Sequence, residues 1–292
     1  MKPKAINLFL MDGEPTQRIK CILQNWTGIA YKIPRNMLEE CKEGNLDIVK
    51  HLKQTGIYFL LGKNADTDKN TIYIGQAVIR KNGMGLLGRI IEHKKNEKER
   101  YWSDWNEVIC FTTQNDSFGP TEISFLENKF TSLAREANRY DVLNGNEPNQ
   151  GNITEEKECE LIEYVEYAKM IIGVLGHNVF EPILQEESSD IEERETSPDF
   201  IFKGKWNAVG KLTNEGFVVK KGSQINPTLS KSAQKFTVKA REMYSDKIDA
   251  QNCLSENILF SSASAAAGFV GGCSLSGNAV WQTKDGKSPK DI

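Results

Sequence analysis

The chain of 292 residues has only three histidines and six cysteines, and no two cysteines stand at CxxC spacing. A structural zinc site needs four closely grouped nitrogen or sulfur ligands, so none is expected. Cys21, Cys41, Cys110, Cys159, Cys253 and Cys273 are scattered and read as reduced, mostly buried thiols. Long apolar runs are missing as well, and no stretch is long enough to span a bilayer. The first apolar stretch, Ile6 to Met11, follows Met1-Lys2-Pro3-Lys4 and is soon broken by Asp12, Gly13 and Pro15. That is too short and wrongly flanked for a signal peptide, so the expected location is cytoplasmic, with no membrane partner.

A strong net charge is also lacking: the formal value is −3. The charge is nevertheless unevenly placed. Residues 150–199 hold 14 acidic and 3 basic side chains, whereas residues 200–292 hold 7 acidic and 13 basic ones. An acidic connector thus masks two mildly basic ends. Net charge neither excludes nor demands a phosphate-backbone ligand.

What is present suggests an α+β chain. Residues 6–10 read as a short strand, a turn follows at 12–15, and residues 18–23 read as its return. Asn36 is a candidate cap for a helix to about Glu43, ended by Gly44. Residues 55–62 form an apolar strand, 63–70 a polar hairpin loop, and 71–75 the returning strand. Gly83 and Gly85 lead into a helix from about Leu86 to Asn96, with Leu87, Ile90 and Ile91 at helical spacing. A third strand is expected at 107–112. Pro120 opens a helix whose apolar face carries Ile123, Leu126, Phe130 and Leu133. Thr154 caps a further helix that ends at Gly173 or Gly176. Residues 185–197 make the best linker.

Beyond Phe200 short strands alternate with glycine turns. A basic helix is expected near 231–244 and a small-residue helix near 261–268. The serines there have no His or Asp partner at a recognisable spacing, so tight packing is the better reading than a nucleophile. The domain expectation is therefore an N-terminal extension at 1–50, a domain at 51–147, a helix with an acidic linker at 148–199, and a C-terminal domain at 200–292.

The chemistry is concentrated in the second segment. Gly56-Ile57-Tyr58 and Tyr73-Ile74-Gly75 flank one turn, so each tyrosine sits on one strand of a hairpin. Arg89 and His93 stand four apart on the next helix and share a face. Glu127 lies on a later helix. Phosphodiester hydrolysis needs a deprotonated water, balanced negative charge and a stabilised leaving oxygen. A lone carboxylate can hold one hard divalent cation, with waters completing its shell. An arginine fork matches two phosphate oxygens. Tyrosine or histidine can take a proton from water, although a tyrosine must first be acidified by nearby cations.

Residues from about Gly56 to Asn146 resemble the GIY-YIG nuclease family, with both name-giving triplets unsubstituted. The resemblance implies a small antiparallel sheet flanked by helices. It also implies an active site of Tyr58, Tyr73, Arg89, His93 and Glu127, with Glu127 holding Mg²⁺ or Mn²⁺. Arg80 competes with Arg89 because Tyr73 and Arg89 are far apart, but only Arg89 has a histidine one turn later. Glu122 competes with Glu127. The substrate-binding asparagine of the family corresponds to Asn144, with Asn138 as the weaker choice. Residues 200–292 resemble a domain of unknown function often found behind GIY-YIG modules. Its basic balance makes DNA contact a hypothesis. Trp102 and Trp105 are candidates for stacking on bases, with core packing preferred.

The expected activity is that of a metal-dependent DNA endonuclease. The alternative is a DNA-binding module that keeps the nuclease fold without cutting. A protein-interaction adaptor acting through the helix after Thr154 is a third reading. One active site cuts one strand, so double-strand cleavage implies a homodimer or sequential nicks.

Overall fold

The computed structural model describes residues 3–43, 46–81, 83–95, 105–145, 151–184 and 197–292. Residues 185–196 of the expected linker, Gly44, Asn96 and Trp102 lie outside the described residues. The chain divides into two compact units, Met1–Pro182 and Ile183–Ile292.

The first unit is built on a seven-stranded sheet ordered β1-β2-β3-β6-β4-β5-β7. Its strands are β1 (Ile6–Leu10), β2 (Ile19–Leu23), β3 (Gly28–Pro34), β4 (Gly56–Lys63), β5 (Asn70–Ala77), β6 (Trp105–Thr113) and β7 (Asp141–Val142). All neighbours are antiparallel except the short β5–β7 pair. The residues expected as an N-terminal extension supply three strands of this same sheet. Among the described residues, four α-helices complete the unit: α1 (Asp47–His51), α2 (Leu86–Lys95), α3 (Pro120–Ala137) and α4 (Glu155–Val174).

Period-two alternation sends side chains to two separate cores. Ile57, Phe59 and Leu61 of β4, with Ile72 and Ile74 of β5, join α3 and α4 on one face. Tyr58 and Leu60, with Val108 and Cys110 of β6, join α1 and α2 on the other. The centre of the sheet around β4 is therefore buried on both faces, which explains the near-continuous apolar run of that strand.

The helix expected from Asn36 is replaced by two short 3₁₀ turns, Arg35–Met37 and Glu39–Cys41. Their fully buried anchors, Leu38 and Cys41, are three residues apart, the spacing that a 3₁₀ turn aligns on one side. Thr154 caps α4 as expected, its hydroxyl accepting from the Lys157 N–H at 3.4 Å. No helix among the described residues is long and apolar enough to cross a membrane.

The second unit contains a five-stranded antiparallel sheet ordered β11-β10-β9-β8-β12. Its elements are β8 (Asp199–Phe202), β9 (Val209–Thr213), β10 (Gly216–Val219), α5 (Lys235–Met243), β11 (Ile258–Phe260), α6 (Ala263–Gly271), α7 (Gly277–Val280) and β12 (Trp281–Gln282). Phe200, Phe217, Phe260, Phe269 and Trp281 dominate its core. The serine- and alanine-rich run forms α6 and its cap: the Ser262 hydroxyl accepts from Ala265 N–H, and that of Ser264 accepts from Gly277 N–H. The guanidinium of Arg241 donates to the Phe269 and Val270 carbonyls at the end of α6. Burial lowers its pKa to about 10.

Candidate active site

The glycines of the two triplets have steric reasons to be glycine. Tyr58 opposes Gly75 across the β4–β5 ladder. A Cβ on Gly75 would lie 2.3 Å from the Tyr58 hydroxyl oxygen, so the missing side chain is what lets the tyrosine ring lie across β5. A Cβ on Gly56 would lie 2.3 Å from the Phe111 carbonyl and 2.8 Å from a Leu86 methyl. That glycine brings β4, β6 and the start of α2 together.

The start of α2 is fixed from outside. The Leu86 and Leu87 N–H groups donate to the carbonyls of Gln54 and Leu52 at 3.1 and 2.8 Å, replacing partners that a helix start lacks. Gly85 permits this approach, since its Cβ would sit 2.1 Å from the Gln54 carbonyl. Leu86, Ile90 and His93 are all buried, at spacings of four and three residues. The packing of α2 therefore turns His93 inward and places Arg89 beside it, on the side of the sheet that carries Tyr58.

Three rings meet there. The Tyr58 hydroxyl lies 2.7 Å from Nε2 of His93. Ring centroids are 6.3 Å apart for Tyr58 and Tyr73, 5.6 Å for Tyr58 and His93, and 5.3 Å for Tyr73 and His93. Burial, reinforced by Arg89, lowers the His93 pKa to about 4, so the imidazole is neutral near pH 7. Burial raises the pKa of both tyrosines, and strongly that of Tyr58. The positive charge of Arg89 partly opposes both shifts.

Glu127 reaches the same place from α3 by way of the open edge of β5. The short strand β7 pairs only with Thr71 and Ile72. Just beyond, the Asn144 side chain continues the ladder: its Oδ1 accepts from the Ile74 N–H at 3.0 Å, and its Nδ2 donates to the Ile74 carbonyl at 2.7 Å. Two residues on, the next outward N–H belongs to Gln76 and faces the Glu127 carboxylate, helping to hold its pKa down. The Gln76 side-chain amide donates to the same carboxylate at 2.8 Å and to the Ser124 hydroxyl at 3.2 Å. Burial raises the Glu127 pKa despite these hydrogen bonds and the Arg89 charge. A half-buried carboxylate with this unbalanced negative charge suits a hard cation that would share it with water. No group of three or more His, Cys, Asp or Glu side chains comes together among the described residues. A metal in this place would have one carboxylate ligand.

The rival residues are placed differently. Arg80 is exposed and forms a two-pronged ion pair with Glu92, one contact at 3.0 Å. Arg89 shares that glutamate at 3.1 Å, and its charge is felt by Tyr58, Tyr73, His93 and Glu127. Glu122 accepts from the Gly119 N–H at 3.0 Å and caps α3. Asn138 is the left-handed residue that ends the same helix. Trp105 is buried beneath the Arg35 guanidinium, 4.7 Å from the ring centre, and therefore packs in the core. Neither motif nor spacing pointed to Gln76, Ser124 or Glu92. Gln76 directly follows the second triplet, and that adjacency was the available signal.

Residues 200–292 match the family described as Domain of unknown function (DUF4357). No curated protein and no solved structure matches the chain.

Proposed function

We propose that the first unit is a nuclease of the GIY-YIG type, hydrolysing phosphodiester bonds in DNA with one bound Mg²⁺ or Mn²⁺. The observation that carries this reading is the meeting of Tyr58, Tyr73, Arg89 and His93 with the single carboxylate of Glu127 at the open edge of β5. Glu127 holds the cation, oriented by Gln76. The cation supplies charge stabilisation for the phosphoryl and leaving oxygens. Arg89 leaves Glu92 for the scissile phosphate, presenting a planar fork to two of its oxygens.

Tyr73, half-buried, orients the attacking water. The neutral His93 is the proton acceptor. The Tyr58 hydroxyl passes its proton to Nε2 of His93 as it takes one from the water, so Tyr58 ends protonated and His93 becomes the imidazolium. The phosphate negative charge favours that imidazolium, although burial opposes it in the free site. Asn144 acts on the substrate through Tyr73, by holding the strand at Ile74.

DNA is the proposed partner of both units, the second contributing its basic surface. The six cysteines are all free, which fits the reducing cytoplasm. The test is cleavage of supercoiled plasmid and branched DNA by the full chain in Mg²⁺ or Mn²⁺. Nicked product that chelator abolishes supports the nuclease. DNA bound but never cut would replace it with the silent binding module.

A further inference from the structure

The outer edge of the first unit's sheet is unusually bare. β1 is the last strand on its side, and among the described residues nothing pairs with its far edge. Leu8, Phe9 and Leu10 are 43%, 59% and 37% exposed. None of the five strand residues is charged or proline, and the register with β2 runs without a bulge. Charges, prolines and bulges are the usual means of keeping an edge strand from pairing with another chain.

The register shows which backbone groups face outward. Met11 N–H donates to the Arg18 carbonyl at 3.0 Å, and Gln24 N–H donates to the Ala5 carbonyl at 3.4 Å. Bonded and non-bonded pairs alternate along an antiparallel ladder. Residues 5, 7, 9 and 11 therefore bond toward β2. Ile6, Leu8 and Leu10 turn their N–H and C=O groups to the open edge.

We propose that this edge pairs with β1 of a second copy of the chain, antiparallel, about a two-fold axis at Leu8. In that register Leu8 opposes Leu8, and Ile6 opposes Leu10. Every outward-facing donor and acceptor of the strand then meets a partner. An axis at Asn7 or Phe9 would pair only two of these three residues with each other and leave Leu10 or Ile6 opposite Lys4 or Asp12, outside the strand. The axis at Leu8 also sets the Lys4 end of one strand beside Asp12 of the other, twice by symmetry. Ile6, Leu8 and Leu10 share a face, the one on which Ile19 and Cys21 of β2 enter the α3–α4 core. Pairing extends that apolar face across the axis. Because the contact uses the same patch on both copies, it closes at a dimer.

Sedimentation of the full chain over a range of micromolar concentrations tests the surface. A reversible dimer is expected, and Leu8→Lys is expected to abolish it while leaving the circular dichroism spectrum and unfolding temperature unchanged. Cysteine cross-linking tests the register, in a background where the exposed native Cys159 is replaced by serine. Leu8→Cys, which faces itself, is expected to give a disulfide-linked dimer on mild oxidation. Leu10→Cys, which faces Ile6, is expected not to. A chain that stays monomeric, a dimer indifferent to Leu8→Lys, or equal cross-linking at both positions would overturn the proposal.

Discussion

Acidification will weaken the first unit through His93, by an amount that follows from its burial. The ring is 5% exposed and its pKa is depressed to about 4 from the ordinary 6.5. Between those values the unfolded chain binds the proton and the folded chain does not, so stability rises with pH across that window. The contribution is fully present above the unfolded pKa and is lost as pH falls toward the folded one. Moving from about pH 7.5 to about pH 5 removes about 2 kcal/mol, at roughly 1.4 kcal/mol per pH unit. For a unit of this size that corresponds to roughly 4–8 °C in unfolding temperature. His51 is depressed in the same direction, whereas Glu127, raised by burial, contributes with the opposite sign. The assay therefore compares wild type with His93→Gln by calorimetry across this pH range, reading only the difference in slope. Wild type is expected to lose the extra 2 kcal/mol (about that much). Parallel curves would refute a neutral buried His93.

Gly75→Ala is expected to push the Tyr58 ring off Nε2 of His93, because the new Cβ falls 2.3 Å from the hydroxyl oxygen. Overpacking costs about 1–3 kcal/mol, and cleavage falls on the order of 100-fold through the misplaced ring; unaltered cleavage and unfolding temperature would contradict this. Arg89→Ala is expected to lower single-turnover cleavage on the order of 100-fold or more. Arg80→Ala, an exposed ion-pair partner, is expected to cost less than about tenfold, and the reverse ranking would exchange their roles. Gln76→Ala is expected to weaken Mn²⁺ binding roughly 10- to 100-fold in titration calorimetry, by releasing the Glu127 carboxylate; unchanged affinity would remove Gln76 from the site.

Local patterns made much of this fold legible. The hairpin of β4 and β5, the helix that places Arg89 and His93 on one face, and the starts of α3 and α4 follow from turn residues, helical spacing, Pro120 and Thr154. The joining of β1–β3 to β6 was hidden, because it depends on a pairing between Gly28–Pro34 and residues about eighty positions later, which no periodicity records. The two 3₁₀ turns were hidden because Leu38 and Cys41 fit a helical spacing as well as a 3₁₀ one. At the site, the sequence favoured Glu127 through the family resemblance and left Glu122, on the same helix, as its competitor. Tertiary structure separates them: Glu122 is consumed by the Gly119 cap, whereas Glu127 accepts from the Gln76 side-chain amide. The support from Gln76, Ser124 and Asn144 was equally hidden, since it arises only where β7 stops short and leaves the β5 edge open.

The proposed activity is cleavage of DNA by Glu127 and its neighbours. It is tested most directly by single-turnover cleavage with wild type and Glu127→Ala, purified side by side, in Mg²⁺ or Mn²⁺. Cleavage by wild type, lost in the variant and in chelator while both proteins keep the same fold and still bind DNA, is the predicted result. Equal cleavage by the two proteins would contradict it.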